Sequence, residues 1–342
     1  MTSPIETVEQ LEELLSEPSD GAVEAMCRLE GDLIVLGVAG KMGPTLARMA
    51  KRASDLAGVR RRIIGVSRFC SGDQEKALQA HGIETIRCDL LDESAVQTLP
   101  DAPNVLYLAG MKFGSAGHES MTWALNAWLP AIVCRKFCRS RIVAFSTGNV
   151  YGLVPVATGG SREGDAPAPA GEYAMSCLGR ERIFEHFSRA LNIPLAIIRL
   201  NYACELRYGV AVDLAQKVFA GDTIDVSMGW FNMIWQSDAS AVALQCLARA
   251  ASPPFVINVT GPELLNVREV GTQLARRLGK RACFSGTESL TALLNNAQRA
   301  LELFGQPRFS AHQVLDLVAD WVKRGGPTLR KPTHFESRDG KF

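Results

Sequence analysis

Residues 32–50, DLIVLGVAGKMGPTLARMA, decide the fold. Asp32–Val38 is an apolar run of the kind a strand buried on both faces needs. Gly37, Gly40 and Gly43 stand at G-x-x-G-x-x-G, and Pro44–Leu56 then carries Leu46, Met49, Ala53 and Leu56 on one helical side. Strand, glycine turn and helix, in that order, let backbone N–H groups approach a pyrophosphate, and the helix N-terminus adds a favourable dipole. The pattern predicts a dinucleotide site with Gly37, Gly40, Lys41, Met42 and Gly43 around the phosphates.

Outward from this stretch the pattern repeats. Arg62–Val66, Glu84–Cys88, Val105–Ala109, Arg141–Ser146 and Leu195–Arg199 are short apolar strands separated by helical segments. Such alternation implies an α/β doubly wound parallel sheet, a Rossmann fold, over residues 31–200. After Arg199 the spacing becomes irregular, which predicts a smaller substrate or lid domain from 201–237 and 260–330. Residues 238–259, with a strand at Phe255–Val259, return to the main sheet, and 331–342 read as a tail. The Pro-, Gly- and Ala-rich stretch 153–172 reads as a long loop beside a site. Residues 1–30 hold eight Asp/Glu and one Arg. Ser3-Pro4-Ile5-Glu6 reads as a capping box, Val8, Leu11 and Leu15 share a helical face, and a second short helix runs through Val23, Met26 and Leu29. This helical N-terminal prefix is expected to pack on the main body.

Composition limits the function classes. The 342 residues are 47% hydrophobic and 21% charged, which excludes a disordered chain. Lys+Arg 37 against Asp+Glu 36 argues against a nucleic-acid wrapper. Nine scattered cysteines read as reduced thiols in a cytoplasmic protein, with no metal cluster. No signal peptide or membrane span is expected.

At the end of the second strand stand Ser67 and Arg68, where an NAD site usually has Asp or Glu for the ribose 2′-OH. A guanidinium fork suits a 2′-phosphate, so NADP(H) is expected in preference to NAD(H). Asp89 and Leu90, after the third strand, are placed at the adenine. Further along come Tyr107-Leu108-Ala109-Gly110, Asn126 in the next helix, Ser146-Thr147-Gly148-Asn149-Val150-Tyr151-Gly152, Tyr173-x-x-Ser176 and Arg199. With these pieces in this order the chain resembles the extended short-chain dehydrogenase/reductase family, the NAD(P)-dependent sugar epimerases and dehydratases, over about residues 31–325.

The resemblance implies hydride transfer at a carbinol carbon of a sugar-like substrate. It makes Thr147 the holder of the substrate oxygen and Tyr173 the proton carrier, and it assigns Ala109, Gly110, Asn126 and the position of Cys177 to the cofactor. The family places a lysine four residues after the tyrosine, and here that position is Cys177. A thiol neither anchors ribose hydroxyls as an ammonium does nor stabilises a phenolate. Lys112, just past the fourth strand, is the candidate replacement cation for catalysis and cofactor contact. No arginine precedes Asp238 in Trp230–Ser237, unlike many nucleotide-sugar enzymes, which favours a small sugar, sugar acid or polyol. Asn149, Asn201, Arg207 and Trp235 are the candidate substrate contacts, with a salt bridge as the alternative for Arg207. Relatives often dimerise through helices that here would be 119–138 and 173–190, so a homodimer is expected. The rival reading is a catalytically silent NADP(H)-binding sensor or scaffold, for which Cys177 speaks.

Overall fold

The computed structural model describes residues 5–70, 72–112 and 117–340. Seven strands form one sheet: β1 (Leu33–Leu36), β2 (Ile63–Ser67), β3 (Glu84–Arg87), β4 (Asn104–Tyr107), β5 (Arg141–Thr147), β6 (Leu195–Leu200) and β7 (Phe255–Val259). They are all parallel, in the order β7-β6-β5-β4-β1-β2-β3. The order reverses between β1 and β4, and the crevice outside the carboxyl ends of these strands is where a doubly wound sheet takes its ligand. The first strand is shorter than its apolar run. Gly37 and Val38 leave the ladder, although both their N–H groups still donate to the Val66 carbonyl.

Both sheet faces are buried. On one face β1, β5 and β6 contribute Leu33, Val35, Val143, Ala196 and Ile198 to a core with α3 (Gly43–Leu56). On the other, Ile34, Leu36, Val105 and Ile142 pack with helix Leu129–Lys136 and with Phe184 of the long helix Gly171–Leu191, designated α4. A separate core fills the smaller C-terminal domain, formed by α5 (Val210–Ala220), α7 (Val267–Leu278) and α8 (Ala311–Lys323) around Trp235, Phe231 and Ile224. Helix α6 (Gln236–Cys246) packs on the sheet through Ala239, Ala243 and Leu244.

The prefix forms two helices. The expected cap at Ser3 and Pro4 lies outside the described residues. The observed capping box is one turn later, with Thr7 and Gln10 at the start of α1 (Val8–Leu15). Leu11 and Leu15 of α1 enter the smaller domain's core, whereas Ala22, Met26 and Leu29, in and just after α2 (Asp20–Arg28), enter the sheet's. Two stretches read as loop or tail carry more structure than expected. Val154–Pro155 pairs with Thr291–Ala292. At the C-terminal end, Thr333 and Phe335 are buried, and Thr333 donates through its N–H (2.8 Å) and hydroxyl (2.6 Å) to Asp213. Such two-residue pairings are too short to leave a periodicity in sequence.

Candidate active site

A cleft of about 300 Å³ runs along the carboxyl ends of β1, β2, β3 and β4, bounded by Gly37, Gly40, Ser67, Arg68, Asp89 and Gly110. Leu90 and Ala109 also line it. Gly37 has φ +86°, and a Cβ there would stand 2.8 Å from the Ala109 nitrogen, so only glycine lets the turn pass beneath β4. The Gly40 N–H closes the turn onto the Gly37 carbonyl at 3.0 Å. Gly43 touches the backbone of Val38, which seats α3 against β1. No side chain caps α3, so its first N–H groups are left for an anion. These features fit the pyrophosphate of a dinucleotide.

A second cavity of about 230 Å³ continues from Gly40, Leu108 and Gly110 towards Tyr173. It merges with a third of about 130 Å³ that reaches Thr147, Asn149, Asn201 and Tyr202. Lys41, Met42, Lys112, Tyr173 and Tyr208 line both. Tyr173 enters on the first turn of α4, and Thr147 closes β5. The Tyr173 phenol is hydrogen-bonded to Thr147 and contacts Cys177. Burial holds the phenol well above its ordinary value, the Cys177 side chain pushes it the same way, and the Arg180 charge and the Thr147 bond draw it down. The Cys177 thiol is fully buried, and burial raises its pKa, so it stays neutral.

Two lysines reach this space. Lys112 Nζ lies 5.8 Å from the Tyr173 ring centroid and 6.0 Å from that of Tyr202. Lys41 crosses from the glycine turn to the other domain. Its ammonium donates to the Ala203 carbonyl at 2.9 Å and sits 3.4 Å from the Tyr208 ring centroid. Burial lowers Lys41 to about 7 and Lys112 to about 8, with Glu205 and Cys204 opposing the shift at Lys41 and Cys177 and Asp213 at Lys112.

Sequence reasoning missed Arg180. It stands seven residues after Tyr173 and three after Cys177, so all three share one face of α4. Its guanidinium donates to the Phe145 carbonyl (2.8 Å) and to Asn126 Oδ1 (2.5 Å), and it borders the cavity below Tyr173. The i, i+4, i+7 spacing was the available signal. Asn126 is fully buried. It exchanges two 2.9 Å bonds with the Met111 backbone and donates to Ser176 Oγ at 2.9 Å, so it braces the segment that carries Lys112.

Three expected contacts lie elsewhere. Trp235 is fully buried in the smaller domain's core, its ring 5.3 Å from Phe309, because its apolar surface is worth more there than at a cavity wall. Arg207 is held by Glu205 (3.1 Å) and by Glu12 of α1 (3.1 Å), the salt-bridge alternative. Cys177 borders neither the cleft nor the cavities but packs with Val150 and Tyr151.

No family model matches the sequence, and no curated protein matches it. Solved structures do. The UDP-glucuronic acid 4-epimerase from Bacillus cereus, with UDP-glucuronic acid and NAD, superposes with TM-score 0.70 at 19% identity, covering 86% of this chain and 99% of that one. The dTDP-glucose 4,6-dehydratase from Bacillus anthracis, with NAD, gives 0.72 at 16% identity over 86% and 97%. The UDP-glucose 4-epimerase from Thermus thermophilus, with NAD, gives 0.69 at 18% over 84% and 98%. The chain has the extended short-chain dehydrogenase/reductase fold. All three structures hold NAD, which overturns the expectation of NADP(H). Arg68, on which that expectation stood, lines the cleft but is exposed, and the half-buried group at the end of β2 is the neutral Ser67 hydroxyl.

Proposed function

We propose that the protein binds NAD(H) and acts at a carbinol carbon of a sugar-like substrate, as an epimerase, dehydratase or dehydrogenase. The observation that carries this reading is the Tyr173 phenol, bonded to Thr147, at the wall where the cofactor cleft opens into the smaller cavity. Gly37, Gly40 and the N-terminus of α3 would hold the pyrophosphate, Ser67 and Asp89 the adenosine half, and Ala109 and Gly110 the nicotinamide half. NAD bound there supplies a hydride acceptor.

Thr147 holds the substrate oxygen beside the Tyr173 hydroxyl. Because burial keeps the phenol protonated, its resting role is that of an acid that donates to the oxygen. In the opposite direction it takes the hydroxyl proton, and that needs positive charge nearby. Arg180 and Lys112 supply it from two sides, in place of the cation absent at Cys177. Asn149 and Asn201 offer polar groups to the rest of the substrate.

The domain boundaries are proposed as first read, with residues 31–200 and 238–259 for the cofactor and 201–237 and 260–330 for the substrate. Among the described residues no helix is long and apolar enough to cross a membrane. The nine cysteines are free thiols, which suits a reducing cytoplasm. A homodimer through the helix pair 119–136 and α4 belongs to the same proposal.

Calorimetry with NAD, followed by turnover on a panel of monosaccharides, their acids and UDP-sugars, tests the reading. Tyr173→Phe should lower turnover by about 10²-fold or more, the scale of general acid–base catalysis, while NAD affinity stays the same. Absence of NAD binding, or full turnover in Tyr173→Phe, would sink the proposal and favour a silent binding module.

A further inference from the structure

One more cavity, of about 60 Å³, lies apart from the cleft and from the cavities around Tyr173, and it shares no lining residue with them. Three parts of the chain meet around it. Asp238, Val242 and Gln245 line it from one face of α6, Leu301 and Phe304 from the helix Gln298–Phe304, and Ser19 from the cap of α2. The wall is largely apolar but holds two opposite charges, Asp238 and Arg308. Asp238 is 7% exposed, and burial pushes its carboxyl above the ordinary value, although the Arg308 and Phe309 N–H groups and the Arg308 charge draw it down.

Both charges are loosely held. The Phe309 N–H reaches Asp238 at 3.4 Å, and Arg308 Nε stands 3.7 Å from its other oxygen. The Arg308 guanidinium meets the Glu17 carbonyl at 3.4 Å, the Glu17 carboxylate at 3.5 Å and the Ser237 hydroxyl at 3.4 Å. Charge-assisted bonds settle at about 2.7–2.9 Å, and the buried Arg199–Glu181 pair of the same chain reaches 2.7 Å. Asp238 and Arg308 therefore keep bonding capacity beside an apolar pocket. In the same wall the Thr260 hydroxyl has no partner among the described residues, and Thr260 is 2% exposed. A lone amine entering here would meet the Arg308 charge, and a lone carboxylate would meet Asp238. A ligand that carries both charges a few bonds apart satisfies both groups and stays neutral as a whole. The space is far below the roughly 300–1,000 Å³ of pockets for drug-sized ligands.

We propose that this pocket binds a small α-amino acid with a short aliphatic side chain. The ammonium donates to Asp238 and to the Thr260 hydroxyl, the carboxylate accepts from Arg308, and the side chain lies against Val242, Leu301 and Phe304. The site stands apart from the proposed cofactor and substrate chemistry and does not depend on it.

The test is calorimetric titration of the full chain with L-alanine, L-valine, isobutylamine and isovalerate. The last two are valine without its carboxylate and valine without its ammonium. At least one amino acid should bind about ten times or more tighter than both single-charge analogues. Asp238→Asn and Arg308→Gln should each remove that margin, and Arg308→Lys should keep most of it. The Arg308 side chain is 33% exposed, so its variants should fold even where Asp238→Asn does not, and the helical signal checks this. No binding of either amino acid, equal binding of an analogue, or a margin that survives in Arg308→Gln overturns the inference. Failure to bind NAD defeats the proposed activity instead and leaves this titration decisive.

Discussion

Thr147 was placed from the Val150-Tyr151-Gly152 triplet and the strand end before it, and Tyr173 from Tyr173-x-x-Ser176; the fold brings these two side chains, 26 positions apart, into hydrogen-bond contact. Arg180 was missed, because its effect depends on α4 turning it under Tyr173, where Asn126 and Phe145 hold it. Trp235 misled for the opposite reason: an aromatic near a ligand edge and one in a core look alike in sequence. The lysines give a pH prediction. Lys41, lowered to about 7, loses its proton in the free protein as pH rises through that value, and Lys112 follows near 8. Turnover that draws on the Lys112 charge beside Tyr173 should therefore fall as pH rises through about 8. A pH–rate profile checks this, and Lys112→Met should remove that limb. A rate that stays flat through pH 8 would count against the role of Lys112.

The inner sheet strands were legible one by one, since a strand covered on both faces must be apolar throughout, whereas the edge strand β3, with Glu84, Thr85 and Arg87, is half-buried or exposed along its length. The glycine turn was legible as a pattern, but the demands on its members differ. Gly37 combines φ +86° with Ala109 backbone 2.8 Å from a would-be Cβ, whereas a Cβ on Gly40 meets only the Gly37 carbonyl at 3.2 Å. Gly37→Ala should cost about 1–3 kcal/mol or more in urea unfolding, and Gly40→Ala distinctly less. Equal costs would show that the turn relaxes freely. In the helical segment after residue 118, the backbone widens into a π turn over Ala124–Trp128, which turns Asn126 inward. Asn126→Ala leaves the Met111 N–H and carbonyl without their partner. It should destabilise the fold by about 1–3 kcal/mol and weaken NAD binding by loosening the segment before Lys112. Unfolding and titration on the same variant separate the two effects.

The smaller domain was the least legible part. Its core is assembled from α5, α7 and α8, with strands of two or three residues between them, so no period announces it. Elsewhere on the molecule, the surface of the main domain offers a test of assembly. Met121, Trp123, Trp128 and Met175 remain 47%, 39%, 52% and 38% exposed on the adjoining segments 119–136 and α4. Large apolar side chains left exposed near one another mark a candidate association surface. Sedimentation at micromolar concentration should give a dimer, and Trp128→Glu should shift it to monomer without loss of helical signal. A monomeric parent protein would refute that interface.

The acidic prefix has a mechanical meaning. Glu12 on α1 joins Arg48 of α3 at 3.4 Å with one oxygen and Arg207 of the smaller domain at 3.1 Å with the other. Glu13 adds Arg48 and Arg52, and Glu17 adds Arg308. The prefix is thus tied to both domains by ion pairs, beside the apolar seat that Leu11 and Leu15 take in the smaller domain's core. Dissolved ions weaken such pairs in proportion to their exposure, so added salt should loosen this tie between the domains and leave the apolar seat to carry it.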